Sequence, residues 1–168
     1  SDSEQVQEFN HSYYQGLLLY IGNMKKLATY VPAQDKNREC INVKLGEIST
    51  LDKVPPFSYQ EFVDRSSTID VMWFQSNSLG SDVMMPNSFF EVEHSTDIQN
   101  SLCKFSDLQS FNAQMFIVAD ARRHDEFIAK LSHDYFKPIS DRVKFVSYDK
   151  LDRYYEGLMT QQKSSLVL

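Results

Sequence analysis

Two neighbouring segments of the sequence combine strand-forming residues with acidic side chains. Residues 68–74 (TIDVMWF) and 88–94 (SFFEVEH) are rich in β-branched and aromatic residues, which is typical of buried β-strands. Because side chains alternate along a strand, Asp70 points away from its apolar neighbours, and Glu91 and Glu93 share one face. An ionised carboxylate inside an apolar strand is costly unless it is paired or binds a cation. These three acids therefore constrain both the fold and the function.

The periodicity of the whole chain predicts an α/β domain. The predicted helices are residues 4–26, 59–64, a segment that opens at 95–97, 125–135 and 149–159, and the predicted strands are 29–31, 43–48, 68–74, 88–94, 115–119 and 143–147. We predict a polar loop over 75–88, and Gly22 weakens the first helix near its end. Crossover helices after residues 94 and 119 imply parallel neighbouring strands. The pattern predicts a three-layer domain with a mixed sheet of about five strands flanked by helices.

Length and composition favour one domain. The chain has 168 residues, of which 42% are hydrophobic and 13% aromatic, enough for one buried core. We assign residues 1–160 to this domain and expect residues 161–168 to form a loose tail. We leave open that the chain is a fragment of a larger protein.

The cysteines and the charge limit the class of protein. Cys40 and Cys103 lack the spacing of a zinc site and do not make a disulfide framework, so we expect a reducing compartment. No apolar run approaches the ~20 residues that span a bilayer, and the N-terminus is too polar for a signal peptide. We therefore expect a cytoplasmic protein of the prokaryotic type. The net charge of −6 argues against a protein that passively coats nucleic acid.

A divalent metal ion would explain the three acids. Mg²⁺ takes oxygen ligands, and Asp70, Glu91 and the carbonyl of Val92 are the predicted set, with Mn²⁺ as a substitute. Glu93 lies about 6–7 Å further along the same face and is predicted to position the attacking water or to bind a second metal. The alternative is that this pattern is only the solvated face of a half-buried sheet.

The order of these elements resembles the PD-(D/E)XK nuclease superfamily, which includes restriction endonucleases. The resemblance is carried by Ile69-Asp70, by Phe90-Glu91-Val92-Glu93 about twenty residues later, and by the amphipathic helix and hydrophobic strand that follow. It covers residues 4–120. It implies a restriction-endonuclease-like fold and a Mg²⁺-dependent endonuclease that hydrolyses phosphodiester bonds in DNA, within a restriction or repair system. Asp70, Glu91 and Glu93 would be its catalytic residues.

Two positions depart from the superfamily motif. Ile69 replaces the proline, which matters little, and Glu93 replaces the lysine. Some restriction enzymes of the superfamily have Glu there, so a nuclease is the first hypothesis. The alternatives are a non-catalytic nuclease-like module that binds DNA or protein, and an unrelated α/β domain. Lys104 could substitute for the lysine, but it lies opposite the apolar stripe of its helix, so we expect it to be solvated.

The remaining candidates concern DNA contact. Lys104, Arg122 and Arg123 are candidate phosphate contacts, and double-stranded DNA is the expected partner. We also leave open whether the chain forms a homodimer or acts together with further domains of a parent protein.

Four other polar residues have plainer expected roles. We expect Gln15 on the first helix to be solvated and His94 to be packed. Thr96 and Gln99 have the spacing of a helix capping box.

Overall fold

Residues 2–166 are described by the computed structural model, with side chains for residues 3–163. The α-helices are α1 (Asp2–Met24), α2 (Leu45–Ile48), α3 (Gln60–Ser66), α4 (Ile98–Asp107), α5 (His124–Leu131) and α6 (Tyr148–Leu166). The strands are β1 (Ala28–Tyr30), β2 (Glu39–Cys40), β3 (Val43–Lys44), β4 (Val71–Asn77), β5 (Gly80–Val92), β6 (Gln114–Ala119) and β7 (Val143–Ser147). Short 3₁₀ helices span Ala33–Asp35, Ala121–Arg123 and Asp134–Ile139.

Five of these strands form one mixed sheet in the order β1-β4-β5-β6-β7. The pairs β1–β4 and β4–β5 are antiparallel, whereas β5–β6 and β6–β7 are parallel. The parallel pairs are joined through α4 and α5, as the crossovers after residues 94 and 119 predicted. The predicted mixed five-stranded sheet flanked by helices is confirmed.

Helices cover both faces of the sheet and give the domain three layers. Leu102 and Phe105 of α4 pack with Phe89 and Ile117 on one face, and all four are fully buried. On the other face, the residues of α1 and α6 pack with Trp73, Phe90 and Val118 of the sheet. The sheet therefore lies between two apolar layers of helices.

The hairpin between β4 and β5 is longer than the sequence indicated. The predicted loop over 75–88 is wrong, because β4 continues to Asn77 and β5 begins at Gly80. The alternation of apolar and polar residues is weak in this part, because the hairpin extends past β6, which pairs with β5 only from Ser88. Pro86 is tolerated there because no strand on that side needs its missing N–H. A bulge places Trp73 opposite Ser88 and Phe74 opposite Pro86.

Other elements also differ from the sequence prediction. The predicted strand over 43–48 is a two-residue strand followed by the single turn of α2, and the helix over 125–135 ends at Leu131. Helix α6 continues to Leu166, so the expected loose tail is helical from 161 to 166, and residues 167–168 lie outside the described part. Gln161, Gln162 and Lys163 are good helix formers, which explains the extension. No helix within residues 2–166 is long and apolar enough to cross a membrane.

A substitution at Gly22 tests how closely α1 packs on the sheet. A Cβ at this position would lie 2.5 Å from Trp73 Nε1 and 2.6 Å from Thr29 Cγ2, so Gly22 allows the close approach of these side chains. We predict that Gly22→Ala lowers the free energy of unfolding in urea by about 1–3 kcal/mol despite the better helix propensity. Gly157→Ala is the control, because a Cβ there meets nothing within 4 Å, and it should raise stability by up to about 1 kcal/mol. Equal effects of the two substitutions would contradict this role of Gly22.

Candidate active site

The pairing of β4 with β5 brings Asp70 beside Glu91. Val71, the first residue of β4, pairs with Phe90, so Asp70 lies next to Glu91 just before the strand begins. The Asp70 backbone N–H donates to Glu91 Oε2 at 3.0 Å, and Asp70 Oδ2 accepts from the Val92 N–H at 2.8 Å. Asp70 therefore lies immediately before β4 rather than in the middle of a strand, because residues 67–70 form a turn after α3.

Glu91 and Glu93 point to the same side of the sheet, toward α4. The Ser101 hydroxyl of α4 donates to Glu91 Oε1 at 3.3 Å and also to Glu93 Oε1. The Thr96 hydroxyl donates to Glu93 Oε2. Glu91 and Glu93 are 1% and 3% exposed, so hydroxyl groups replace the water that these carboxylates have lost. The sequence assigned Thr96 to a capping box, but Asp97 caps α4 by accepting from the Gln99 N–H at 2.9 Å.

Lys104 reaches into this site from α4. Its Nζ lies 2.8 Å from Glu91 Oε1 and donates to the Thr68 carbonyl at 3.0 Å. The expectation that Lys104 is solvated is wrong. Lys104 lies one turn after Ser101, so both side chains reach the same end of the sheet, and the long lysine side chain covers the remaining distance.

Helix α1 contributes an imidazole and a buried amide. His11 Nε2 lies 3.4 Å from Asp70 Oδ2. Gln15 Nε2 donates to the Asp70 carbonyl at 3.0 Å and to Asp35 Oδ2 at 3.1 Å. Gln15 is fully buried, which corrects the expectation of a solvated face. No role for His11 was expected from the sequence, and its position one turn before Gln15 was the available signal.

Burial and neighbouring charges shift the pKa values of the three acids in different directions. Burial and the neighbouring charge of Asp70 raise the pKa of Glu91 well above its usual value, although Lys104 opposes this. Burial alone would raise the pKa of Asp70, but the hydrogen bond and charge of His11 and the Val92 N–H lower it. Burial raises the pKa of Glu93, although the hydrogen bonds donated by Ser101 and Thr96 oppose this rise. The site therefore holds more carboxylate charge than its environment readily accommodates.

These groups line one pocket of about 500 Å³, which also includes Thr96 and Ser101. Asp70 and Glu91 both line this pocket, and hard cations prefer carboxylate oxygens as ligands. Among residues 3–163, no group of three or more His, Cys, Asp and Glu side chains is arranged to hold a metal ion. A Mg²⁺ ion held by Asp70 and Glu91 would therefore need the Val92 carbonyl, water or a substrate phosphate to complete its shell, which is common for this ion.

The two arginines after β6 have different surroundings. Arg123 donates to the carbonyl groups of His94 at 3.3 Å and Thr96 at 2.7 Å, and it pairs with Glu126 at 2.9 Å. It therefore fixes the loop after Glu93. Arg122 is 87% exposed in its side chain and pairs with Asp120 at 3.1 Å. Contact of either arginine with nucleic acid stays a prediction, and the exposed Arg122 is the more available of the two.

The loop is also held from α6. The Tyr148 hydroxyl donates to the Glu93 carbonyl at 2.9 Å and lies 3.3 Å from His94 Nδ1. His94 also stacks on the Tyr148 ring, so it is packed, as expected from the sequence.

The arginine pair provides a stability test. We predict that Arg123→Ala lowers the free energy of unfolding by about 1.5–3 kcal/mol, because it leaves two loop carbonyls and Glu126 without their donor. Arg122→Ala should change it by less than about 1 kcal/mol, since its ion pair is exposed. Urea unfolding of both variants gives the comparison. Equal losses would show that Arg123 does not support the loop.

The mixed five-stranded sheet flanked by helices is consistent with a restriction-endonuclease-like fold, and the acidic pocket lies where β4 begins and β5 ends. The family model of the C-terminal domain of the type II restriction enzyme NmeDI matches residues 2–166. The chain belongs to this family. Comparison with curated proteins and comparison with solved structures gave no match.

Proposed function

We propose that this domain is a metal-dependent endonuclease that hydrolyses phosphodiester bonds in double-stranded DNA as part of a restriction system. The observation that carries the proposal is the meeting of Asp70, Glu91 and Lys104 in one pocket. Family membership supports it, because NmeDI is a type II restriction enzyme. In this proposal the acids correspond to the PD-(D/E)XK motif, and Lys104 from α4 takes the place of the lysine that Glu93 replaces.

Each side chain of the pocket has a proposed role. Asp70, Glu91 and the Val92 carbonyl would hold Mg²⁺, for which Mn²⁺ could substitute. When bound, the ion would polarise a phosphoryl oxygen and lower the pKa of a bound water. Lys104 Nζ is the cation available to stabilise negative charge on the phosphoryl group. Glu93, held by two hydroxyl groups, would orient the attacking water and accept its proton. Lys104, Arg122 and Arg123 would contact DNA phosphates.

The second candidate is a non-catalytic nuclease-like module that binds DNA or protein. Glu93 in place of the lysine favours it, and so does the absence of a three-ligand cluster among the described residues. In that case the Lys104–Glu91 ion pair would be structural, and the pocket would carry no chemistry.

Cleavage of plasmid DNA separates the two candidates. We predict Mg²⁺-dependent cleavage by the full chain, which Asp70→Asn abolishes. Lys104→Met should lower the rate by roughly 100-fold or more, as expected for a group that stabilises developing charge. Lys36→Met is the matched control, because Lys36 pairs with Asp52 at 2.7 Å and is 26% exposed, against 23% for Lys104. DNA binding without cleavage, or full activity of Lys104→Met, would contradict the proposed roles.

Thermal unfolding tests the metal site without an activity assay. Mg²⁺ at roughly 100 times its Kd should stabilise the chain by about 2.7 kcal/mol, because it binds only the folded state. Glu91→Gln should remove this stabilisation, and the exposed Glu47→Gln should keep it. A metal-dependent shift that survives Glu91→Gln would place the ion elsewhere.

A further inference from the structure

A second and larger pocket lies on the α1 and α6 side of the sheet. It has a volume of about 840 Å³ and its lining includes residues along most of β6 and β7. It shares no lining residue with the carboxylate pocket. Small-molecule sites in proteins are mostly apolar clefts of roughly 300–1,000 Å³. The size of this pocket therefore suits a small organic ligand.

The floor of this pocket is an aromatic surface with polar groups at its edges. Phe90, Phe116 and Lys144 form one row across β5, β6 and β7, because Phe116 pairs with both of the others. The rings of Phe90 and Phe116 are stacked, with centroids 5.0 Å apart and planes 10° apart. Gln114 lies on the same face of β6, two residues before Phe116. Its side-chain amide makes no hydrogen bond within the described part of the chain. Phe116 is only partly buried, so its ring is open to a ligand.

The charges around this pocket are all positive. Its charged lining residues are Lys25, Lys144 and Lys150, and no Asp or Glu from residues 3–163 lines it. None of the three lysines has a carboxylate partner among those residues, whereas Lys36, Lys104 and Lys130 do. Lys25 Nζ lies over the Tyr154 ring, 5.5 Å from its centroid. In a chain of net charge −6, lysines that have no carboxylate partner among the described residues and that surround an apolar pocket complement an anionic ligand.

We propose that this pocket binds a mononucleotide. The base would lie on the Phe116 ring, the Gln114 amide would hydrogen-bond to the base edge, and the lysines would bind the phosphate. Aromatic side chains accept any base face, so the pocket selects for a nucleotide rather than for one base. This inference does not depend on the proposed nuclease, because the two pockets share no residue.

The binding test uses the single tryptophan of the chain. Trp73 lines the pocket, and its indole N–H, which donates to the Leu18 carbonyl at 3.0 Å, gives one NMR signal. We expect dAMP to shift this signal saturably with a Kd below about 1 mM. Inorganic phosphate and deoxyadenosine each lack one half of the ligand and should bind at least about tenfold more weakly.

Two substitutions separate specific binding from a general effect of charge. Lys144→Gln should weaken dAMP binding roughly tenfold, and Phe116→Leu should do so by a similar factor. The exposed Lys53→Gln should leave it unchanged, and the NMR spectrum of each variant shows whether it is folded. The proposal is overturned if dAMP causes no shift, if phosphate alone binds equally well, if octanoate binds more tightly than dAMP, or if Lys144→Gln binds dAMP like the unsubstituted chain.

Discussion

The antiparallel pairing of β4 with β5 is the interaction on which the candidate active site depends. Because Val71 lies opposite Phe90, the backbone at residue 70 meets the carboxylate of Glu91, and the Asp70 carboxylate meets the Val92 N–H. A slip of one residue would turn Glu91 away from α4 and separate these groups. The apolar residues on both faces of the two strands prevent that slip, so the hydrophobic core sets the geometry of the acids.

The strands that carry the acids could be predicted because their apolar residues are consecutive and β-branched or aromatic. The same reasoning failed for residues 75–88, because there the hairpin extends past β6 and needs no apolar face. It also failed for Lys104, since a helical wheel describes which face meets the core but not how far a long side chain reaches past the end of the sheet. His11 and Gln15 were missed because both contact Asp70, which lies more than 50 residues further along the chain.

The two pockets differ in the sign of their charge. The carboxylate pocket concentrates Asp70, Glu91 and Glu93, which are satisfied by hydroxyl groups, one lysine and one histidine. The pocket over Phe116 is lined by lysines without carboxylate partners among the described residues. A hard cation suits the first and an organic anion suits the second. The fold thus separates two opposite electrostatic environments within one small domain.

Anomalous diffraction from a crystal of the chain soaked in Mn²⁺ tests the central claim most directly. The account predicts a metal peak in the carboxylate pocket, with an oxygen of Asp70 and an oxygen of Glu91 at roughly 2 Å. A crystal in which Glu91 stays paired with Lys104 and the only Mn²⁺ peaks lie away from Asp70 would contradict it.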